Sequence, residues 1–465
     1  MAKQGKGADR KVVGYLPNEA PPFGQMVVLG FQHVLTMFPA TILVALLVGF
    51  DTGTVLTVSG IATVAALLLS KIWIGQFIPL YYGSSFSYIA ATLTLTNAEF
   101  GTYAGEAVRL AQVGIVATGV LNILVGLIIA RVGKEFLDRI LPPVLTGTIA
   151  LVIGVTLGGS ALDMAAGNWG VAIITLISTI VFSVYLQGAG FIGLLPILLG
   201  ALVGYLVSIP MGLIEFAPVR EASLFSVPRF TLPNFGDPRA WESVAAIAII
   251  AVATIPESTA HLYQISLYVD QLADDLGRKR YHLSDHIGKN LVLDGLGDFI
   301  NGMLGGVAGT NYGENNSLMA ITRNYSGPVL MAAGVIAIVL GFVGKLTALV
   351  GTVPAAVTGG LAIYLFGVIG MQGIALIQSE QVNLFDPRQL AIGATVSIIA
   401  IGGRITGGGY IPIAVPGIFP DGLPDIATGA VAGILLNLIF QIFSPKNLAS
   451  EYDNLDQKAD RLDIA

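Results

Sequence analysis

The chain has 465 residues, of which 54% are hydrophobic and only 11% charged, with a mean hydropathy of +0.79 and a net charge of −6. A soluble domain carries about 25% charged residues, so this chain lacks the polar surface to cover itself in water and reads as a polytopic membrane protein. It has no cysteine, which excludes disulfides and thiolate metal sites.

The N-terminal MAKQGKGADRKVVG is basic and polar, with no apolar core leading to a small-residue cleavage site, so it reads as a retained tail rather than a secretory signal. The first apolar run, 25–50, is span one. A bilayer core of about 30 Å needs roughly 20 apolar residues per helix, and such runs recur at 113–130, 171–186, 192–207 and 329–343. About twelve convincing spans and two doubtful ones emerge on this criterion. If all fourteen cross, Lys3, Lys6, Arg10, Lys11, Lys71, Arg131, Lys134, Arg139, Arg278, Lys279, Arg280 and Lys289 fall on one side. Positive charge marks the cytoplasmic side, which would hold both termini. Arg220, Arg229 and Arg239 fall on the other side, in the longer loop 215–241.

The two doubtful segments are 76–96 and 309–323. Each starts poor in apolar residues, contains Tyr-Gly followed by polar residues, and then becomes helical. Aligned on that dipeptide they match at Tyr82/Tyr312, Gly83/Gly313 and Ser87/Ser317. Each is the third crossing of its half when the chain is cut in the 215–241 loop. Interrupted segments at matching positions of two halves mark a transporter binding site. Seven spans per half would also invert the second half. Non-helical backbone at membrane depth needs protein or a cavity to cover it, so two short strands are expected at the midplane. Each would lead into a half-helix whose N-terminal N–H groups face a shared site.

Span eight carries Glu257 after thirteen uncharged residues, with His261 one helical turn later on the same face. Pro256 should bend the helix just before the carboxylate. Ionisable groups inside a span face a cavity or a partner, so the alternative is a mutual Glu257–His261 pair. Glu314 sits where the second strand turns into its half-helix, and Asn315 and Asn316 are natural candidates to hold that turn. Burial and a helix N-terminus pull the proton affinity of Glu314 in opposite directions, which suits a group that gains and loses a proton. Phe86 occupies the matching region of the first half and reads either as a binding aromatic or as core. Ser84 and Ser85 fit a turn. Gln32 and His33 form a polar pair in span one, expected to bond backbone freed by the broken segments. Asp294 and Asp298 are i and i+4 on span nine, Asp298 closer to the surface.

Taken together, FQHVLTMFPAT, YYGSSFSYI, PESTAHL and TNYGENNSLMAITR resemble the nucleobase–ascorbate transporters, also called xanthine/uracil permeases, from about residue 24 to residue 445. The likeness is strongest to the uracil-transporting, proton-coupled branch, which also reads Tyr-Gly-Glu-Asn at the second broken segment, where purine and xanthine members commonly carry Gln-Asn. The family signature after the second strand appears as Glu314, Asn315, Asn316, Ser317, then Thr322 and Arg323. Ser317 replaces its glycine, and Pro39 also stands where the uracil branch has glycine.

The resemblance implies fourteen segments as two inverted repeats of seven, with two short antiparallel strands in segments 3 and 10. Its core would comprise 25–131 and 242–350, its gate 132–214 and 351–444. Residues 215–241 would be an extracellular loop, and 1–24 and 445–465 cytoplasmic tails of an inner-membrane protein. It further implies a substrate site of Glu257, Glu314, Phe86, Gly313, Ala40 and Ser85. Glu314, His261, Glu257 and Asp294 are then the candidates for proton coupling, and Gln32, His33, Asn315 and Asn316 the structural polar residues. Family members are commonly homodimers through the gate. The expected activity is uracil:proton symport. A xanthine or purine:cation symporter is the alternative, and an anion carrier of related fold or an intramembrane enzyme is further off. No metal, cofactor motif or nucleic-acid partner is expected. The chemistry suits a neutral base: carboxylates accept its N–H groups, half-helix amides answer its carbonyls, and an aromatic ring packs on its face.

Overall fold

The computed structural model describes residues 14–416, 419 and 422–443. Lys3, Lys6, Arg10, Lys11 and the expected C-terminal tail 445–465 lie outside the described residues. The first part of the chain runs α1 (Phe23–Val48), α2 (Thr52–Ile74), β1 (Tyr82–Ser84), a single 3₁₀ turn Phe86–Tyr88, α3 (Ile89–Thr96) and α4 (Glu106–Val132). Then come α5 (Lys134–Ile140), α6 (Pro143–Ala166), α7 (Trp169–Tyr185), α8 (Pro196–Ser208) and the short α9 (Ala217–Glu221). The second part runs α10 (Ala240–Ala248), α11 (Ala251–Asp275), α12 (Ile287–Leu304), β2 (Gly309–Asn311), α13 (Gly313–Thr322), α14 (Gly327–Gly341) and α15 (Gly344–Gly351). It ends with α16 (Ala355–Ser379), α17 (Pro387–Gly407), β3 (Tyr410–Ile411), β4 (Leu423–Pro424) and α18 (Asp425–Ile442). Among the described residues, eight helical stretches are long and apolar enough to cross a membrane, taking 240–275 as one. The fold is that of a polytopic, mostly helical membrane protein.

Glycine sets how closely the helices pack. α4 lies on α12, α2 on α14, and α6 on α16. A Cβ at Gly119 would sit 2.5 Å from the Phe299 backbone nitrogen, one at Gly60 2.4 Å from the Gly334 carbonyl, and one at Gly154 2.5 Å from the Gly370 nitrogen. In lipid, where burial gives helices little reason to associate, such backbone contact supplies the packing.

The two broken segments form strands that pair antiparallel, Tyr82 with Asn311, Gly83 with Thr310 and Ser84 with Gly309. This register corrects the alignment on Tyr-Gly. Tyr82 and Gly83 lie within β1, but Tyr312 and Gly313 lie beyond β2. A two-fold relation through the Gly83–Thr310 pair makes Gly313 the counterpart of Phe86, and Glu314 that of Ser87. The second sheet, β3 with β4, was not anticipated. It has two residues per strand and is flanked by Gly409 and Gly422 at φ of +115° and +114°.

The break in span eight also differs from expectation. The helix is interrupted at Ile249–Ile250, and Pro256 sits inside α11. Proline disturbs the turn before it, because its ring crowds the carbonyl four residues back and it offers that carbonyl no N–H. Here Val252 and Ala253 donate to Ile249 and Ile250, tightened i→i−3 bonds one turn upstream of Pro256.

Charged contacts sort the two ends of the bundle. Arg278 pairs with Glu19 at 3.3 Å, Arg323 pairs with Asp275, and Lys71 donates to Asn18 at 3.0 Å. At the other end Arg109 donates to the Leu232 carbonyl, and the Arg229 backbone to Asp51. The 215–241 loop therefore lies opposite Lys71, Arg278 and Arg323.

Candidate functional site

A cavity of about 700 Å³ opens where the two strands become helices. One wall is a single face of α11: Pro256, Glu257, Ala260, His261 and Gln264. The floor comes from the strand ends and helix starts, Ser84 to Ser87 and Thr310 to Glu314. The far wall is α6 and α16, through Thr146, Ala150, Ile369, Gln372 and Leu376. Among the described residues, neither Lys nor Arg lines it.

The floor is fixed by Asp298, which is fully buried rather than near the surface. Its Oδ1 accepts from the Tyr82 hydroxyl of β1 at 2.5 Å and from the Gly309 N–H of β2 at 2.8 Å, and its Oδ2 accepts from Asn122 at 3.0 Å. One carboxylate thus clamps both strands. On the outer edge of β1, Ser59 and Thr63 of α2 donate to the Tyr82 carbonyl at 2.8 and 3.0 Å, and the Tyr82 N–H donates to Thr63 at 3.1 Å. These bonds replace the ladder partners that an edge strand in lipid would lack. Across the pair, the Tyr312 hydroxyl donates to the Ser84 carbonyl at 2.8 Å, and the Tyr81 and Tyr312 rings stack 6.3 Å apart. Gly83 leaves room for this, since a Cβ there would lie 2.4 Å from the Tyr312 ring.

Glu257 and Glu314 both line the cavity, and among the described residues no ion pair or hydrogen bond from another residue's side chain holds either carboxylate. Glu314 is exposed, into the cavity. Glu257 and His261 do not form the mutual pair that was the alternative. The Nδ1 of His261 is buried without a partner, and its ring lies against Gly313, where a Cβ would come within 2.9 Å of Nε2. Phe86 is half-buried and lines the cavity while packing on both main apolar clusters. Ser85 also lines it and accepts from the Ser87 N–H at 3.3 Å, capping the 3₁₀ turn.

Several residues fall elsewhere than expected. Asp294 is buried behind the α11 wall, where it accepts from Ser258 and, at 3.2 Å, from Asn311. Asn290 and Asn311 each donate to Ser258 at 2.9 Å, so this network ties α11 to α12 and β2 rather than facing the cavity. Ala40 does not line the cavity either. It packs in the apolar cluster with Met37 and Ile255. α1 reaches the cavity floor through Thr41, whose hydroxyl lies 3.0 Å from that of Tyr312. Asn315 and Asn316 do not hold the turn: α13 has Tyr312 at its N-cap and no side-chain cap. Asn315 donates to the His33 ring and carbonyl of α1 at 3.0 and 3.2 Å, and Asn316 to the His261 carbonyl of α11 at 3.3 Å. Two side chains thus tie the half-helix to its neighbours instead of capping it, while the Glu314 carboxylate faces its own backbone N–H. His33 accordingly bonds a side chain rather than freed backbone, and Gln32 Oε1 is buried without a partner.

The family model described as the Permease family, that of the xanthine/uracil permeases, matches residues 24–406. This chain belongs to the xanthine/uracil permease family. A uracil permease of Bacillus caldolyticus is 36% identical over 432 residues, covering 90% of this chain and 93% of that one. A uracil permease of Escherichia coli K12 is 33% identical, covering 96% and 99%. The fold is shared with more distant solved structures. One is the transmembrane domain of the cyanobacterial bicarbonate transporter BicA, at a TM-score of 0.52, 15% identity and coverage of 91% and 98%. Another is SLC26A9, at 0.60 and 10%, with 90% of this chain and 66% of that one covered. Permeases are transporters, so this protein is a nucleobase-permease-family transporter and not an enzyme.

Proposed function

We propose that this permease imports uracil together with protons by alternating access. The observation that carries the reading is a cavity between two half-helix N-termini, flanked by Glu257 and Glu314, with neither Lys nor Arg among the described residues that line it. A carboxylate accepts the N–H groups of a neutral pyrimidine strongly. N–H groups at the start of α13 donate to its carbonyls. The Phe86 ring packs on its face. Unpaired carboxylates repel anions, which sets this chain apart from the bicarbonate carrier of similar fold. Neutral uracil cannot use the membrane potential, so its accumulation needs a coupled ion, and Glu314 is positioned to carry the proton.

Helix neighbours support two inverted repeats of seven spans. Take α1, α2, β1–α3, α4, α6, α7 and α8 as the first repeat, and α10–α11, α12, β2–α13, α14, α16, α17 and α18 as the second. The contact of α2 with α14 then has its counterpart in α12 with α4, and that of α1 with α14 in α10 with α4. Likewise α7 with α16 matches α17 with α6, and α7 with α8 matches α17 with α18. The cavity lies between core elements and the α6–α16 wall, as a core-and-gate division requires. The end bearing Lys71, Arg278 and Arg323 is then cytoplasmic. Gln264 and Ser317 line the cavity along α11 and α13, both of which run toward that end, so the site faces inward. At the outer end the Tyr410 hydroxyl donates to Glu242 at 2.7 Å and ties β3 to α10.

The test is uptake of radiolabelled uracil, xanthine and adenine into cells lacking their own permeases. Saturable uracil uptake stimulated by external acid is expected, and uptake of xanthine or adenine without uracil would overturn the substrate assignment.

A further inference from the structure

The far wall of the cavity is almost entirely apolar. Ala150, Ile369 and Leu376 present no polar side-chain atom, and the Thr146 hydroxyl is directed to the Pro143 carbonyl of its own helix at 3.4 Å. Gln372 is the exception. Its position is set by helical geometry: Ile369, Gln372 and Leu376 stand at i, i+3 and i+7 of α16, one face of that helix. The opposite side of the same turns is locked onto α6. A Cβ at Gly373 would lie 2.3 Å from the Gly147 carbonyl, and one at Gly154 within 2.5 Å of the Gly370 nitrogen. With backbone contact on both sides of it in sequence, α16 has no room to roll, and Gln372 stays directed at the cavity. It is exposed there, and among the described residues no protein group takes its amide.

We propose that Gln372 is a specificity-determining residue that reads the transported base from the wall opposite Glu257. The inference rests on the nucleobase reading of the cavity. While ionised, Glu257 and Glu314 only accept hydrogen bonds, so in that state they select N–H groups and leave the ring carbonyls to donors elsewhere. A primary amide carries a donor and an acceptor side by side and is complementary to a ring edge that pairs a C=O with an N–H. Gln372 therefore supplies from α16 an amide free to bond a ligand, whereas the amide on the acidic wall, Gln264, is engaged by Asn316 and Tyr268. Because α11 belongs to the core and α16 to the gate in this reading, a base held by both bridges the two walls across which the transporter must move.

The test measures uptake kinetics in proteoliposomes for wild type, Gln372→Leu and Gln372→Glu. Pyrimidin-2-one, which lacks the C4 carbonyl of uracil and with it the adjacent N3–H, serves as the competitor. Loss of one net hydrogen bond predicts a KM for uracil raised roughly 3- to 10-fold with the maximal rate little changed. The preference for uracil over pyrimidin-2-one should shrink by a similar factor, a selectivity change that a merely structural role would not produce. Gln372→Glu keeps the volume but removes the donor and should behave like leucine, while Gln372→Asn should recover part of the selectivity. Should Gln372→Leu not reach the membrane, the glutamate variant carries the same comparison. Unchanged KM and unchanged competitor ranking in the variants would overturn the proposal. The wild-type arm separates this from a wrong substrate: wild type that takes up xanthine instead of uracil removes the uracil reading, and the variants are then ranked on xanthine.

Discussion

Removing the carboxylate of Asp298 should dismantle the site without touching the cavity wall. It accepts three hydrogen bonds, from Tyr82, Gly309 and Asn122, in a fully buried position. In Asp298→Ala all three donors lose their acceptor. Each unpaired buried donor costs about 1–3 kcal/mol. Water entering the vacated space relieves part of this, so the low end of the sum, about 3 kcal/mol, is expected. The cost falls on the pairing of β1 with β2, because Tyr82 and Gly309 sit one on each strand. Asp298→Asn should behave quite differently. Its amide oxygen can keep the bonds from Tyr82 and Gly309, and its nitrogen then faces Asn122. The Oδ1 of Asn122 is buried without a partner, so a flip of that amide restores the third bond. The asparagine variant is therefore expected within about 1 kcal/mol of wild type. Thermal unfolding of purified protein in detergent, with uracil binding by calorimetry, separates the two. Alanine should lower the melting temperature and abolish binding, and asparagine should preserve both. An alanine variant that binds uracil with wild-type affinity would refute the clamp.

Three further substitutions probe the cavity. Glu257→Ala should abolish uracil binding while protein remains in the membrane, measured by calorimetry alongside an immunoblot of the membrane fraction; retained affinity would remove Glu257 from the site. Phe86→Ala should weaken binding by roughly 1–3 kcal/mol through lost burial of one large side chain, and a change confined to expression level would make Phe86 a packing residue. Gly313→Ala places a methyl group 2.9 Å from His261 Nε2; it should reduce affinity at least tenfold, and His261→Ala in the same chain should restore part of the loss by vacating the space.

Much of this site was legible because polar residues at membrane depth are rare and costly. Glu257, Glu314 and the two broken segments stand out against apolar runs, and the strands and half-helices follow from the need to cover freed backbone. The register did not follow. The repeated Tyr-Gly suggested an alignment, but backbone pairing decides it, and Gly83 meets Thr310 instead. The role of Asp298 depends on which residues α12 faces, which an i, i+4 pair of aspartates does not specify. Asn315 and Asn316 carry the composition of a cap, yet they bond to α1 and α11, partners 282 and 55 residues away in the chain. Thr146 and Gln372 escaped notice for the opposite reason: polar residues scattered along an apolar helix form no local pattern, and the packing of α16 on α6 turns these two toward the cavity.

Proton coupling through Glu314 is tested most directly in vesicles under a pH gradient alone. Glu314→Gln keeps the size and some hydrogen bonding of the side chain but cannot change charge. Wild type should concentrate radiolabelled uracil when the outside is acidic, and Glu314→Gln should equilibrate uracil without concentrating it while still exchanging internal for external uracil, since exchange moves no net proton. Accumulation by Glu314→Gln against a gradient, driven by the pH difference, would contradict the assignment and place the coupling group elsewhere, with Glu257 the next to test.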